Sequence, residues 1–90
     1  MNNVCFDFRE IPDEAEFYRQ FAAKFAIEMA FGANLDALWD ALTGMIALPA
    51  RVTLCHLRNH ADGGRFRAIL AVLQEAAIAS AGDLSVRYID

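Results

Sequence analysis

Apolar residues recur at two spacings along the chain, and each spacing predicts a different kind of element. Alternation with a period of two predicts three strands, over residues 4–8, 51–57 and 84–89. Apolar positions three and four residues apart predict two long helices, over residues 13–29 and 65–80. A third, shorter helix is predicted over residues 34–44, and the polar residues 58–64 can accommodate a short helical turn.

The order of these elements defines the expected fold class. Strands separated by long helical connections pair in parallel, with right-handed crossovers. We therefore expect an α/β fold in which a three-stranded parallel sheet is packed with three to four helices. Ninety residues make one domain, residues 1–90, without an internal repeat or linker.

The first long helix has both a start signal and a core stripe. Asp13 followed three residues later by Glu16 is the capping-box pattern. Phe17, Phe21 and Phe25 then follow at intervals of four residues. This interval is typical of a helix that faces a core, so we interpret the aromatic stripe as core rather than as a cofactor site.

The short helix lies within residues 31–49, around which we expect the rest of the chain to be organised. Asn34 is a favourable N-cap, because its side-chain oxygen can accept a free backbone N–H of the first turn. Gly44 suits the left-handed residue that commonly ends a helix. Pro49 prevents the helix from continuing.

Two carboxylates lie one turn apart on this helix. On a helical wheel the expected core side consists of Leu35, Leu38, Trp39, Leu42 and Ile46. Asp36 and Asp40 lie on the opposite side among small residues, and like charges at this spacing disfavour a helix by roughly 0.2–0.5 kcal/mol. The helix dipole favours Asp36 near the N-terminus and favours Asp40 less. Fold stability therefore gives little reason for Asp40.

Composition and charge narrow the possible partners. The chain is 57% hydrophobic, which argues against disorder, and its formal net charge is −4, which argues against nucleic-acid binding. Residues 25–50 contain no Lys or Arg, yet they contain Glu28, Asp36 and Asp40. Such a surface attracts a basic partner, although a solvated acidic helix face would look the same.

The sequence predicts a cytoplasmic protein with free thiols. It begins with neither a basic segment nor an apolar signal segment, and no apolar run approaches the ~18–20 residues that span a bilayer. Cys5 and Cys55 fall in predicted strands, where buried free thiols are expected.

We expect no catalysis, no cofactor and no metal. Asp36 and Asp40 could in principle serve a small hydrolase, but acid–base pairs need environments that separate their pKa values, and the outside of a helix does not provide them. His56, His60 and the adjacent Cys55 are too few for a structural zinc site, so ordinary histidines are favoured.

The short helix and its flanks also resemble a known family. The matching residues are Gly32, residues 34–40 (NLDALWD), residues 42–44 (LTG) and Pro49. This stretch resembles the barstar family, intracellular inhibitors of a secreted bacterial ribonuclease. The rest of the chain matches in length and pattern more than in identity.

The resemblance implies a fold, a partner and a binding surface. The barstar fold has the arrangement predicted above. The family's acidic helix plugs the ribonuclease active site, where its acids replace substrate phosphates and meet catalytic Arg, Lys and His side chains. Carried over, that role falls to Asp36 and Asp40, with Asp40 as the central acid. The implied partner-binding residues are Phe31, Asn34, Asp36, Trp39, Asp40, Thr43, Gly44, Met45, Ile46 and Glu75.

Three residues depart from the family pattern. Ala30 stands where the family has an interface tyrosine, Met45 replaces a tryptophan, and Ala47 replaces an acid. We therefore expect a cytoplasmic antitoxin or immunity protein that binds, one to one, a secreted ribonuclease different from barstar's own target. The alternative is a barstar-like module that binds a different basic protein or nuclease toxin.

Overall fold

Three strands and three α-helices make up the described part of the computed structural model, residues 2–27, 34–58 and 60–89. In chain order they are β1 (Asn2–Asp7), α1 (Glu14–Lys24), α2 (Leu35–Gly44), β2 (Ala50–Cys55), α3 (Arg67–Ala79) and β3 (Leu84–Ile89). Two short 3₁₀ helices, Phe8–Glu10 and Gly63–Phe66, follow β1 and precede α3.

The strands form one parallel sheet in the order β1-β2-β3. In its central row, Val4 pairs with Val52 and Val52 pairs with Val86. The expected α/β fold, with a three-stranded parallel sheet and helical connections, is confirmed.

One face of the sheet is buried beneath the helices. Alternate residues such as Phe6, Leu54 and Leu84 are buried in the same core cluster as side chains of all three helices. The intervening residues point to the opposite face, where Cys5 and Arg87 are exposed. The sheet is therefore one-sided, and we call this second face the open face.

Phenylalanine rings from β1, α1 and both 3₁₀ helices pack together in the core. The ring centroids of Phe6 and Phe17 lie 4.8 Å apart, and those of Phe8 and Phe66 lie 5.0 Å apart in an edge arrangement. Phe21 is also buried, whereas Phe25 is partly buried at the end of the stripe. The structure thus places the aromatic stripe of α1 in the core.

The predicted end of the first helix, at residue 29, is wrong. α1 ends at Lys24, because Ala26 adopts a left-handed conformation with φ of 53°. The Ile27 N–H donates to the Ala22 carbonyl at 2.9 Å, and the Ala26 N–H donates to the Ala23 carbonyl at 3.3 Å. These two bonds form a Schellman motif, which usually has glycine at the left-handed position.

Most other boundaries differ by one or two residues. β1 spans Asn2–Asp7 because the Asp7 carboxylate accepts the Arg9 backbone N–H at 3.0 Å and starts a 3₁₀ helix. β2 ends at Cys55 because His56 has a left-handed φ of 61°. β3 has the predicted bounds.

The expectation of two buried thiols is also wrong. Cys5 is exposed and Cys55 is partly buried, because both side chains point to the open face of the sheet. Both are free thiols, as expected.

An ion pair on α1 links the stability of the fold to pH. Hydrogen bonds from Arg19 and Gln20, each with a contact of 2.8 Å, lower the pKa of Glu16 to about 2 from the usual 4.5. A carboxylate with a lowered pKa stabilises the fold above its unfolded pKa, and the stabilisation is lost as the pH falls. For Glu16 the window runs from about pH 4.5 down to about pH 2.

We predict that Glu16→Gln reduces the loss of stability across this window, since glutamine does not titrate. Urea unfolding at successive pH values measures the effect. Arg19→Gln should have a smaller effect in the same direction, because Gln20 still donates a hydrogen bond to Glu16. Asp7, whose pKa Arg9 lowers to about 2, should keep part of the pH dependence in both variants. Identical pH profiles for all three proteins would contradict the prediction.

Candidate functional site

The start of α2 is held by the predicted cap. Asn34 has extended backbone angles, and its Oδ1 accepts the Ala37 backbone N–H at 2.8 Å. This bond satisfies one of the free donors of the first turn. Asn34 is therefore an N-cap, and it is exposed.

The buried side of α2 is narrower than predicted. Leu38, Ala41 and Leu42 are buried, and α2 packs against α3. Leu35 and Trp39 were expected in the core stripe, but they are 38% and 36% exposed. On a helical wheel the buried residues lie in the order Ala41, Leu38, Leu42, and Leu35 and Trp39 follow Leu42 at one margin of the stripe.

Asp36 and Asp40 both lie on the exposed side of α2. Within residues 2–27, 34–58 and 60–89, neither carboxylate has a hydrogen-bond or ion-pair partner. The sequence supplies no Lys or Arg between residues 25 and 50, so no cation of this segment can neutralise them. Both carboxylates are available to an external partner.

Gly44 does not have the predicted left-handed conformation. It is the last residue of α2, and the C-cap is Met45 with φ of −116°. A Cβ at Gly44 would meet nothing within 4 Å. Alanine would therefore fit and is the better helix former, so neither space nor helix stability explains the glycine.

Exposed apolar side chains follow the helix along the chain, and we call them, together with Leu35 and Trp39, the apolar border. Met45 is 50% exposed and Leu48 is 41% exposed, whereas Ile46 is partly buried against the core. The Thr43 hydroxyl donates to the Trp39 carbonyl at 2.7 Å, which leaves its oxygen free to accept a further hydrogen bond. An exposed apolar border beside charged groups is typical of an interaction site.

A cleft of about 510 Å³ opens beside Asp36, between α1, the start of α2 and the start of α3. Arg65 lines this cleft, but its guanidinium lies 2.7 Å from the Glu14 carboxylate and 3.4 Å from that of Asp62. The basic side chain in the cleft is thus engaged by two other acids. Leu35, also in the lining, supplies apolar surface next to Asp36.

The predicted acid of α3, Glu75, is exposed on the helix that packs against α2. Ala68, seven residues earlier, lines the cleft beside Asp36. Seven residues bring a helix to within about 20° of two full turns, so Glu75 lies on the same side of α3 as Ala68. Phe31, the remaining predicted site residue, lies outside the described residues.

We call the surface formed by Asn34, Asp36, Trp39, Asp40, Thr43, Gly44 and Met45 the acidic face of α2. The structure places these predicted residues together on one helix and its C-cap. Leu35 lines the cleft beside Asp36, and Leu48 is exposed after α2, but neither was predicted as a site residue. A signal for Leu35 was its position as the first residue after the N-cap, at the margin of the core stripe.

Comparison with known proteins identifies the family. The sequence model described as Barstar (barnase inhibitor) matches residues 1–88. The chain belongs to the barstar family. It is also 32% identical to "Putative ribonuclease inhibitor YrdF" of Bacillus subtilis (strain 168), over 78 residues that cover 84% of this chain and 86% of that protein.

Membership of the barstar family confirms the resemblance seen in residues 31–49. Barstar-family proteins are inhibitors rather than enzymes, which confirms the expectation that this chain is not an enzyme. Among the described residues, no helix is both long and apolar enough to cross a membrane.

His60 has a structural role in this member of the barstar family. Its Nδ1 accepts the Asp62 backbone N–H at 2.9 Å, so Nε2 carries the proton and donates to the Ile11 carbonyl at 2.8 Å. Its ring also packs edge-on against Phe66, with centroids 5.1 Å apart. Both nitrogens are thus used within the fold.

We predict that the double variant Asp36→Ala, Asp40→Ala folds with unchanged or greater stability, by up to about 1 kcal/mol. Alanine removes the repulsion between the carboxylates and is the better helix former, while the lost dipole interaction of Asp36 offsets part of the gain. Urea unfolding measures the change. As a control on the same helix, Asn34→Ala should lose about 1 kcal/mol. A double variant that failed to fold would show that the two acids are structural.

Proposed function

We propose that this protein inhibits a secreted ribonuclease by inserting the acidic face of α2 into the enzyme's active site, one inhibitor to one enzyme. The inhibitor acts in the cytoplasm and protects the cell from the nuclease. Blocking is steric and electrostatic, and no bond is made or broken. The proposal extends the barnase-inhibitor-like role of the family to named residues of this chain.

The observation that carries the proposal is the state of Asp36 and Asp40. Both are exposed, and neither has a partner among the described residues. Repulsion between two carboxylates at this spacing weakens the helix slightly. Residues that do not favour the fold are expected at functional sites. A partner with positive charges at the same spacing supplies that reason.

A ribonuclease active site has the complementary chemistry. The enzyme must attract a polyanion, so its cleft is positive, and opposite potentials speed association and fix orientation. A carboxylate can accept two parallel hydrogen bonds from one arginine, which makes the contact strong and directional. Ala37 and Gly44 beside the acids present little bulk, so the walls of the cleft can approach closely.

The apolar border completes the binding surface. Leu35, Trp39, Met45 and Leu48 are all exposed, on α2 or in the segment that follows it. Residues of this kind exclude water around a central charged contact and so strengthen it. We assign Asp36 and Asp40 as the anchors, Asn34, Thr43 and Ile46 as flanking contacts, and Glu75 as an additional acid from α3. Phe31 remains an expected contact from the family resemblance.

The departures from the family pattern favour a target other than barnase. Met45 offers a flexible thioether where the family has tryptophan, and Ala47 offers no charge where the family has an acid. This chain keeps the two acids of the family pattern, Asp36 and Asp40, but it differs from that pattern at residues around them. The second candidate function is therefore binding of a different basic protein or nuclease toxin through the same face.

We predict that Asp40→Asn and Asp36→Asn each weaken inhibition of the target ribonuclease by at least about 30-fold, which corresponds to the ~2 kcal/mol of a hot-spot residue. The unchanged protein is immobilised and used to capture ribonuclease from the secreted fraction of the source organism. The captured enzyme is then titrated with each variant, and the remaining ribonuclease activity is measured. Glu10→Gln is the control, since it removes one exposed negative charge from the end of the sheet after β1.

Three outcomes discriminate between the candidates. Capture of ribonuclease activity by the unchanged protein and Glu10→Gln, but not by the α2 variants, supports the proposal. Equal capture by all variants would refute the role of the two acids. Capture of a basic protein that lacks nuclease activity, dependent on Asp36 and Asp40, would favour the second candidate.

We also predict that Met45→Trp tightens inhibition of a barnase-type ribonuclease by about 5- to 30-fold, because an aromatic side chain restores buried contact area at the border. Titration of ribonuclease activity measures the inhibition constant. The matched control is Ile78→Trp, which adds the same side chain to an exposed position on α3. An unchanged inhibition constant for Met45→Trp would show that this position does not set specificity.

A further inference from the structure

Two thiols meet on the open face of the sheet, away from the acidic face of α2. The Sγ atoms of Cys5 in β1 and Cys55 in β2 lie 3.0 Å apart. They are the two cysteines of the chain, and both are free. Neither has a role in the proposed inhibition.

The sheet register explains why the side chains converge. Cys5 pairs with Thr53, and Cys55 pairs with Asp7, so the two cysteines are diagonal neighbours on adjacent parallel strands. Thr53, the partner of Cys5, lies two residues before Cys55 on the same strand. Side chains two residues apart on a strand point to the same face, so both cysteines point to the open face. The strands therefore hold the two sulfur atoms in contact.

The surroundings allow a reagent to reach the pair. Cys5 is exposed and Cys55 is partly buried, so the pair is accessible from solvent. The hydrogen bond with Cys55, together with burial, raises the pKa of Cys5 to about 11. The Cys5 thiol is therefore protonated at neutral pH, and the pair persists as a dithiol in a reducing compartment.

We propose that Cys5 and Cys55 form an oxidisable surface dithiol that hydrogen peroxide converts into an intrachain disulfide between β1 and β2. One of the two thiols first loses its proton, and the resulting thiolate attacks a peroxide oxygen, which gives a sulfenic acid and releases one molecule of water after proton transfer. The second thiol attacks the sulfenic sulfur, forms the S–S bond and releases a second water. Overall, the two thiols lose two electrons and two protons, and one peroxide becomes two waters.

The geometry requires a small movement. A disulfide has an S–S distance of about 2.05 Å, so the sulfur atoms must approach by roughly 1 Å. Cys55 is the last residue of β2, and His56 leaves the strand direction directly after it. The side chains and the strand end can supply this movement without a change in sheet register.

The disulfide would stabilise the inhibitor against unfolding without covering its proposed binding surface. The closed loop spans residues 5–55 and so contains α1 and α2, which reduces the conformational freedom of the unfolded chain. The acidic face lies on the helical layer, on the other side of the sheet. We expect the melting temperature to rise by at least about 5 °C on oxidation.

The test treats the full chain with hydrogen peroxide and follows intact mass, free thiols and melting temperature. The expected product is a monomer that has lost two hydrogen atoms and both free thiols, melts higher, and reverts with dithiothreitol. Cys5→Ser and Cys55→Ser should each lose this product and the shift in melting temperature. Cys5→Ser changes an exposed side chain, so it provides a folded control.

Each alternative outcome would overturn the proposal. These outcomes are a disulfide-linked dimer, addition of two or three oxygen atoms to a single thiol, and a monomeric disulfide that does not raise the melting temperature. None of the readouts involves a ribonuclease, so their failure is distinct from failure of the proposed inhibition.

Discussion

Parallel strands cannot be joined by a tight hairpin, and this constraint shapes the whole molecule. Each connection between β1, β2 and β3 must return along the length of the sheet, and here each return contains a helix. The buried side chains of all three helices join one face of the sheet in a single core. A chain of 90 residues thus buries its apolar side chains in one core, and the outer side of α2 stays exposed to solvent.

The anchoring of α2 is strong enough to tolerate an unfavourable outer surface. Burial of a leucine side chain stabilises a fold by about 1.5–3 kcal/mol, and α2 buries both Leu38 and Leu42. The Asn34 cap adds about 1 kcal/mol. Repulsion between Asp36 and Asp40 is smaller than either contribution, at roughly 0.2–0.5 kcal/mol. The inner side of the helix can therefore hold the acids in a fixed arrangement before any partner arrives.

Such preorganisation matters for a tight inhibitor. Side chains that must be ordered on binding reduce the affinity, and rigid elements lower that loss. Asp36 and Asp40 lie on a capped helix packed against α3, and Gly44 lies at its end without a steric requirement for glycine. The features that folding leaves unexplained are therefore those to which the proposed inhibition assigns a role.

The elements with strong local signals could be predicted from the sequence. Three such signals depend only on residues close together along the chain: the Asn34 cap, the strand periodicity and the aromatic stripe of α1. The structure has all three. The end of α1 could not be predicted, because Ala26 adopts a conformation that glycine usually marks. The exposure of Leu35 and Trp39 depends on how far α3 covers α2, which periodicity does not report.

The functional residues required a different kind of inference. Helix energetics indicates that Asp40 has no structural purpose, but only the resemblance of residues 31–49 to the barstar family suggests a ribonuclease as the partner. The contact between Cys5 and Cys55 depends on strand register, which joins residues 50 positions apart. The sheet separates the open face from the helical layer. The thiols can therefore be oxidised without a change at the acids. If the proposed disulfide forms, oxidation at one surface would stabilise the protein while the other surface keeps its charge.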